Sequence, residues 1–276
     1  MTAKIAFQGE PGAYSHQACR TARPNHEAVP CRTFEDVFAA VHDGVCELGM
    51  LPVENSTYGR VADIHRLLPE SGLHIIDEAF VRVHINLLAL PGTHLNQIKS
   101  AMSHTVLLGQ CRDFLRTHNI HAVTGADTAG SALHVAQERD ASLGALASEL
   151  AGEIYGLDVL ARHIEDHDKN TTRFLIMARD EDLTRRAERM MTSFVFEVRN
   201  IPAALYKGMG GFATNGVNMT KLESYMLDGS FTATQFYADI EGHPDDRAVR
   251  LALEELDYFT SHLKILGVYP ADPQRP

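Results

Sequence analysis

Ile5-Ala6-Phe7-Gln8-Gly9-Glu10-Pro11-Gly12-Ala13-Tyr14-Ser15 carries the design that the first two-thirds of the chain repeats. A short apolar strand runs into a glycine- and proline-bearing turn, and a helix starts near Tyr14-Ser15. Leu48-Gly49-Met50-Leu51 likewise ends in Pro52-Val53-Glu54-Asn55-Ser56. Ala101-Met102 ends at Ser103-His104, and Val106 through Leu115 reads as the helix that follows. Ala122-Val123 leads to Asp127-Thr128-Ala129-Gly130-Ser131 and a helix through Val135. Leu143-Gly144-Ala145-Leu146 gives a further strand, and Ser148-Glu149 opens a helix toward Tyr155. This alternation predicts a mostly parallel sheet with helices on its faces, and a ligand beyond the carboxyl ends of its strands. The polar turns all fall at those ends. Ser103 and Thr128 are N-cap candidates. Convergent turns rich in Ser, Thr and Asn suit a small anion, because helix N-termini present unpaired N–H groups. No GxGxxG or Walker string occurs, so no nucleotide site is expected.

Composition narrows the function classes. A chain of 276 residues holds one large domain or two ordinary ones, and a 45% hydrophobic fraction supports a normal core. The net charge of −11 argues against nucleic-acid or anionic-membrane partners and makes the capture of an anionic substrate a local matter. Cys19, Cys31, Cys46 and Cys111 show no CxxC spacing and read as reduced thiols of a cytoplasmic protein. Lys4-Ile5-Ala6-Phe7 is a strand rather than a signal-peptide core, and no apolar run approaches the length of a membrane span. His163 and His167 stand four apart beside Glu165, Asp166 and Asp168. That segment lacks helical periodicity and any HExxH string, so it reads as a polar loop and no metal site is expected.

Asn170-Thr171-Thr172-Arg173-Phe174 places an amide, two hydroxyls and a guanidinium at the mouth of the apolar strand Phe174-Leu175-Ile176-Met177. It reads either as a capped turn entering a strand or as the polar donors of a small-acid site. Ile75-Ile76 is followed by a long run, Val81 to Leu90, which a crossing from one lobe to another would need; Glu165 to Thr172 would cross back. Thr172 then lies at a hinge between lobes, a common location for a ligand cleft.

The last third changes pattern. Arg179 to Arg189 is densely charged and reads as a connector or exposed helix. Phe194, Phe196 and Val198 alternate as a strand; Ala203 to Ala213 fits a helix ending at Asn215-Gly216. Val217 to Ser224 and Phe231 to Ile240 are strands, Val249, Ala252, Leu256 and Phe259 share a helical face, and Leu263 to Tyr269 closes with a strand. The order βαββαβ predicts a ferredoxin-like layer of helices on an antiparallel sheet.

Together, Gly9-Glu10-Pro11-Gly12-Ala13-Tyr14-Ser15, Pro52-Val53-Glu54-Asn55-Ser56, Ser103-His104, Asp127-Thr128-Ala129-Gly130-Ser131-Ala132 and Thr172-Arg173-Phe174 resemble the prephenate dehydratase family. The resemblance covers nearly the whole chain. It implies an α/β fold: a two-lobed, periplasmic-binding-protein type II-like catalytic domain at 1–180, then a ferredoxin-like ACT regulatory domain at 192–270. Lobe 1 would be 1–78 with 168–180, and lobe 2 would be 79–167. It implies catalysis by Thr172, with Asn55, Ser56, Ser103, His104, Thr128, Ala129, Gly130, Ser131, Arg173 and Phe174 around the substrate. Allosteric L-phenylalanine would meet Ala203, Ala204, Leu205, Asn218, Met219, Glu223 and Ser224 between paired ACT domains of a homodimer or homotetramer. Three departures stand out. The family's Gly-Ala-Leu appears as Ala203-Ala204-Leu205, its Glu-Ser-Arg-Pro as Glu223-Ser224-Tyr225-Met226, and Tyr58 replaces an acidic or small residue.

The implied reaction converts prephenate to phenylpyruvate, water and carbon dioxide. Aromatisation drives it, so no cofactor is required. A threonine alcohol is too weak an acid to ionise near neutral pH, so its role is a hydrogen bond or concerted proton donation to the departing hydroxide. Arg173 has two readings, a bidentate partner for a substrate carboxylate or an ion pair with Glu54 or Asp166. His104 is either a general acid or a positional residue. Two alternatives remain open: an arogenate dehydratase, or a non-catalytic two-lobed small-acid-binding module.

Overall fold

The computed structural model describes residues 2–199, 201–226 and 233–275. They fall into two compact units, Met1–Val61 with Phe80–Phe174, and Ala62–Ala79 with Leu175–Pro276. In chain order the elements begin β1 (Lys4–Gln8), α1 (Tyr14–Ala22), β2 (Glu27–Cys31), α2 (Phe34–His42), β3 (Leu48–Asn55), β4 (Gly59–Arg60), α3 (Ala62–Leu67) and β5 (His74–Arg82). Next come β6 (Asn86–Ala89), β7 (Ser100–Ser103), α4 (Thr105–Gln110), α5 (Arg112–Thr117), β8 (His121–Thr124), α6 (Thr128–Glu138), β9 (Leu143–Ala147), α7 (Glu149–Tyr155), β10 (Asp158–Ala161) and β11 (Thr171–Ala178). The chain closes with β12 (Met190–Val198), α8 (Ala204–Thr214), β13 (Met219–Met226), β14 (Ala233–Glu241), α9 (Arg247–Phe259) and β15 (Thr260–Pro270).

The first unit has two lobes, each built on its own strands. In the first lobe, Ile5, Ala6 and Phe7 are consecutive and all fully buried, as in a strand covered on both faces. β1 runs parallel to β2 on one side and β3 on the other. α2, held by a Thr33–Asp36 capping box, packs on this sheet. A Cβ on Gly49 would lie 3.2 Å from both Val37 and Val41, so the bare glycine lets the helix sit close. In the second lobe β7 is parallel to β8 and β9, whereas β6 is antiparallel to β9 and β10. The parallel expectation therefore holds for strands linked through helices. It fails for β6 and β10, which bring the chain into the lobe and carry it out.

Two further expectations change. The run from Val81 to Leu90 is two strands, broken at Val83–Ile85. There the partners switch: Val83 N–H donates to the Asn170 carbonyl at 2.9 Å and Ile85 N–H to the Glu165 carboxylate at 2.9 Å. Ile164 N–H in turn donates to the Ile85 carbonyl, so the outgoing and returning crossings are tied together. The single helix expected from Val106 to Leu115 is α4 and α5, interrupted at Cys111. The Asp166 carboxylate accepts from Arg112 N–H and Asp113 N–H, starting a second helix as a side-chain cap would.

In the second unit, β12-α8-β13-β14-α9-β15 forms an antiparallel sheet in the order β13-β14-β12-β15, the ferredoxin-like arrangement. Phe194, Phe196, Phe236, Ala238 and Ile240 from the sheet pack against Phe212 of α8 and Val249, Ala252 and Leu256 of α9. Phe231, where the third strand was expected to begin, lies outside the described residues. Arg179 to Arg189 forms turns rather than a helix, with Arg185 Nη1 donating to the Ile76 carbonyl at 2.7 Å. Among the described residues no helix is long and apolar enough to cross a membrane.

Candidate active site

Thr172 is the second residue of β11 and is half-buried. Its environment follows from Asn55 at the end of β3. The Asn55 Oδ1 accepts from the backbone N–H groups of Thr57 and Tyr58, at 2.9 and 3.0 Å. That fixes the amide's orientation, so its Nδ2 must donate the other way: to Asn170 Oδ1 at 2.7 Å and to Thr172 Oγ1 at 3.0 Å. Asn170, its oxygen occupied, donates through Nδ2 to Gln110 Oε1 at 2.9 Å. The chain of amides therefore has a direction. At one end Thr172 accepts, leaving its own hydrogen to be donated elsewhere. At the other end the Gln110 NH2 remains as a second donor.

Backbone contacts hold this chain in place. Ser56 N–H donates to the Thr171 carbonyl, Thr171 N–H donates to Ser56 Oγ, and Ser56 Oγ donates to the Lys169 carbonyl at 2.7 Å. Ser56 is thus a clasp between the ends of β3 and β11. Arg173, 2% exposed, donates to Glu54 Oε1 at 3.0 Å. The ion pair with Glu54, one of its two readings from sequence, is present. Asp166 instead caps α5.

A cleft of about 510 Å³ opens beyond the carboxyl ends of the strands, lined by the Gln8–Glu10 turn, Tyr14, Ser15, Arg32, His104, Asp127 and Thr128 among others. His104, not Ser103, is the N-cap of α4: its Nδ1 accepts from Val106 N–H at 3.3 Å, which leaves Nε2 as the donor of a neutral ring. Ser103 is fully buried and donates to the Leu146 carbonyl at 2.7 Å, so its hydroxyl tethers two strands and does not face the cleft. At α6 the cap is Asp127 rather than Thr128; its carboxylate accepts from Gly130 N–H at 2.6 Å. Thr128 consequently becomes the first helical residue, with its side chain at the cleft wall. Ser131 donates back to the Asp127 carbonyl at 2.6 Å, inside the helix turn. Ala129 and Phe174 are 0% and 1% exposed and belong to the packing beneath the site.

α4 joins the two clusters. Its cap His104 lines the cleft and its last residue Gln110 closes the amide chain, a span of about 9 Å for six residues at 1.5 Å each. Neither Gln110 nor the bridging role of Asn170 stands out in the sequence. The cue for Gln110 is an amide closing the apolar run Val106-Leu107-Leu108.

On the other wall, the Gly9–Ser15 loop is fixed to the second lobe. Ser148 Oγ donates to the Gly12 carbonyl at 2.5 Å and Tyr155 OH to the Pro11 carbonyl at 2.7 Å. Gly12 has φ +93°, and a Cβ there would stand 2.7 Å from Ala151 Cα, so the position requires glycine on both counts. Gly12 N–H donates to His16 Nδ1 at 3.0 Å, which needs a neutral ring. Burial, and secondarily Arg20, lower the His16 pKa and favour that form. Tyr14 OH donates to the His84 carbonyl, and burial raises its pKa well above the ordinary phenol value. Tyr14 is thus a neutral wall of the cleft. Among the described residues no group of three or more His, Cys, Asp or Glu is placed to hold a metal ion. His163 instead stacks on His84, with ring centroids 4.0 Å apart.

In the second unit the expected phenylalanine residues divide. Ala203, Ala204 and Leu205 lie at the start of α8, at the sheet end where β12 finishes; Ser224 nears the same end on β13. Asn218 donates to Glu241 at the opposite end, next to Met219. Glu223 pairs in register with Tyr237 and Ser224 with Phe236, so the two side chains leave opposite faces of the sheet.

A family model described as prephenate dehydratase matches residues 5–182. The chain is 50% identical over 272 residues to a Komagataeibacter europaeus protein described as a bifunctional N-acyl-homoserine lactone acylase/prephenate dehydratase, covering 98% of this chain and 97% of that one. It is 38% identical over 283 residues to an Arabidopsis thaliana arogenate dehydratase/prephenate dehydratase 1, covering 98% of this chain and 72% of the relative. The solved structure of a prephenate dehydratase from Arthrobacter aurescens in complex with L-Phe is 29% identical, with TM-score 0.89 over 99% of this chain and 92% of that one. The amide chain around Thr172 and the cleft at His104 and Thr128 both lie within the matched segment, and the chain belongs to the prephenate dehydratase family.

Proposed function

We propose that this protein dehydrates and decarboxylates prephenate to phenylpyruvate, with residues 1–180 as the catalytic domain. The reading rests on the directed amide chain: because Thr172 Oγ1 accepts from Asn55, its hydrogen is available to a departing hydroxide. In the reaction the ring C–O bond breaks, the ring carboxylate leaves as carbon dioxide, and its C–C electron pair completes the aromatic ring. Prephenate dianion and one proton thus give phenylpyruvate anion, carbon dioxide and water. Thr172 stabilises the negative charge that develops on the leaving oxygen. His104 Nε2–H and the α6 N-terminus at Thr128 would orient carboxylates by neutral donors, consistent with a chain whose net charge opposes anions at long range.

The test is to incubate purified protein with prephenate and follow phenylpyruvate; absence of turnover would reject the reading. Arogenate in a parallel reaction decides between the keto and amino forms of the substrate. An N-acyl-homoserine lactone belongs in a third reaction, because the 50% identical relative carries that activity in its description.

Residues 192–270 would act as an ACT-type regulatory domain that binds L-phenylalanine, supported by the βαββαβ order and by the L-Phe complex of the 29% identical relative. The expected contact residues lie at two ends and two faces of one sheet, so two copies of the chain would be needed to assemble the site. Phenylalanine would then control activity by its difference in affinity between two arrangements of the pair. Calorimetry with L-phenylalanine, together with sedimentation to establish a dimer or tetramer, tests this; no binding would remove the regulatory role. We assign the working location as the cytoplasm, and cell fractionation checks it.

A further inference from the structure

Tyr58 is the departure from the family pattern for which the sequence offers no account. Its backbone N–H donates to Asn55 Oδ1 at 3.0 Å, so it belongs to the loop that orients the amide chain. Its side chain leaves that loop and crosses to α4, where the phenol donates to the Val106 carbonyl at 3.1 Å. The hydroxyl lies 3.7 Å from where a Cβ on Gly109 would be, so the helix presents bare backbone there. Tyr58 is 50% exposed.

The two lobes also meet at the Gly12–α7 seam, but that contact is of a different kind. Ser148 is 1% exposed, its bond to the Gly12 carbonyl is buried, and the backbones of Gly12 and Ala151 are in direct contact. A packed seam on one side and a solvent-facing hydrogen bond on the other describe a pivot and a releasable clasp. The Asn170-to-Gln110 bond needs α4 held against the Asn55 loop.

We propose that Tyr58 is a positioning residue: a strap that holds α4 against the Asn55 loop and keeps the lobes closed around the site. The proposal rests on the dehydratase reading for its kinetic consequences. Its physical content is independent of that reading. With the strap removed, the closed form is a smaller fraction of the free enzyme, so the apparent KM rises while the chemistry in the closed complex is unchanged.

The test is Tyr58→Phe, which removes one hydroxyl at an exposed position and keeps the backbone bond to Asn55. KM for prephenate should rise about two- to tenfold, the range for one neutral hydrogen bond, with kcat held within about twofold. Hydrogen exchange at the amides of Leu108, Gly109 and Gln110 should accelerate by a similar factor while the thermal midpoint stays unchanged. Tyr58→Ala should move both quantities in the same direction. Unchanged KM and unchanged exchange would overturn the proposal, as would a fall in kcat at constant KM, which would place Tyr58 in the chemistry. If the wild-type protein shows no turnover of prephenate, the dehydratase reading fails, and exchange in Tyr58→Phe alone decides whether the strap exists.

Discussion

Replacing Asn55 by Asp changes one atom of the side chain and reverses the direction of the amide chain. In the native protein Asn55 Nδ2 donates to two oxygens, Asn170 Oδ1 at 2.7 Å and Thr172 Oγ1 at 3.0 Å. In Asn55→Asp the oxygen that accepts from Thr57 and Tyr58 N–H is retained, but an acceptor now faces both of those oxygens. Two hydrogen bonds become oxygen–oxygen contacts unless the partners turn. Thr172 relieves its contact by rotating its hydrogen inward to the carboxylate, which withdraws the donor from the substrate. Asn170 relieves its own by flipping, which breaks its bond to Gln110 Oε1. The loss is that of one preorganised donor, about 10²–10³ in kcat or roughly 2.7–4 kcal/mol. Thr172→Val removes the same donor directly and should cost about the same. Because both changes abolish one interaction, the double variant should be no slower than either single one. Steady-state turnover of prephenate by the three variants is the assay. Near-native kcat in Asn55→Asp, or losses that multiply in the double variant, would refute the directed chain.

Other expectations concern single positions. Ala203 adopts φ +61°, a conformation that disfavours residues with a Cβ, and it stands where the family pattern has glycine. Ala203→Gly should therefore stabilise the protein by about 0.5–1 kcal/mol after the added unfolded-state entropy of glycine, measurable as a higher denaturant midpoint at constant m-value. Gly12→Ala should do the reverse, by more than about 2 kcal/mol, since it combines a positive φ with a contact inside van der Waals distance of the Ala151 backbone; normal stability would show that the seam yields. The lowered pKa of His16 means that the unfolded chain binds a proton more readily than the folded one. Its contribution is full above the unfolded value of about 6.5 and is lost as pH falls through the lower folded value. His16→Gln should flatten that part of the stability–pH profile, which urea titrations at several pH values would detect.

Local sequence went far toward the fold. The apolar run Ile5-Ala6-Phe7 requires a strand buried on both faces, and the helix starts at Tyr14 and Glu149 follow from the turn before each. The βαββαβ order of the second unit was legible from alternation and helical periodicity alone. Those features depend on residues within a few positions of one another, and their physics is carried by the segment itself.

Features that depend on distant partners were decided by the tertiary structure. Cys111 interrupts the expected helix because Asp166, 55 residues later, caps a new one; Val81 to Leu90 breaks because Asn170 and Glu165 take its N–H groups. The residue types at the site could be named from their motifs, since hydroxyls and amides at strand ends are local facts. Which of them donate could not. Ser103 and Ser131 look as suited to a ligand as Thr172, yet their hydroxyls are taken by the carbonyls of Leu146 and Asp127. Thr172 keeps its hydrogen because Asn55 gives it one, and Asn55 does so because two backbone N–H groups have already claimed its oxygen. A hydrogen bond has a sense as well as a length, and that sense is set by every neighbour at once.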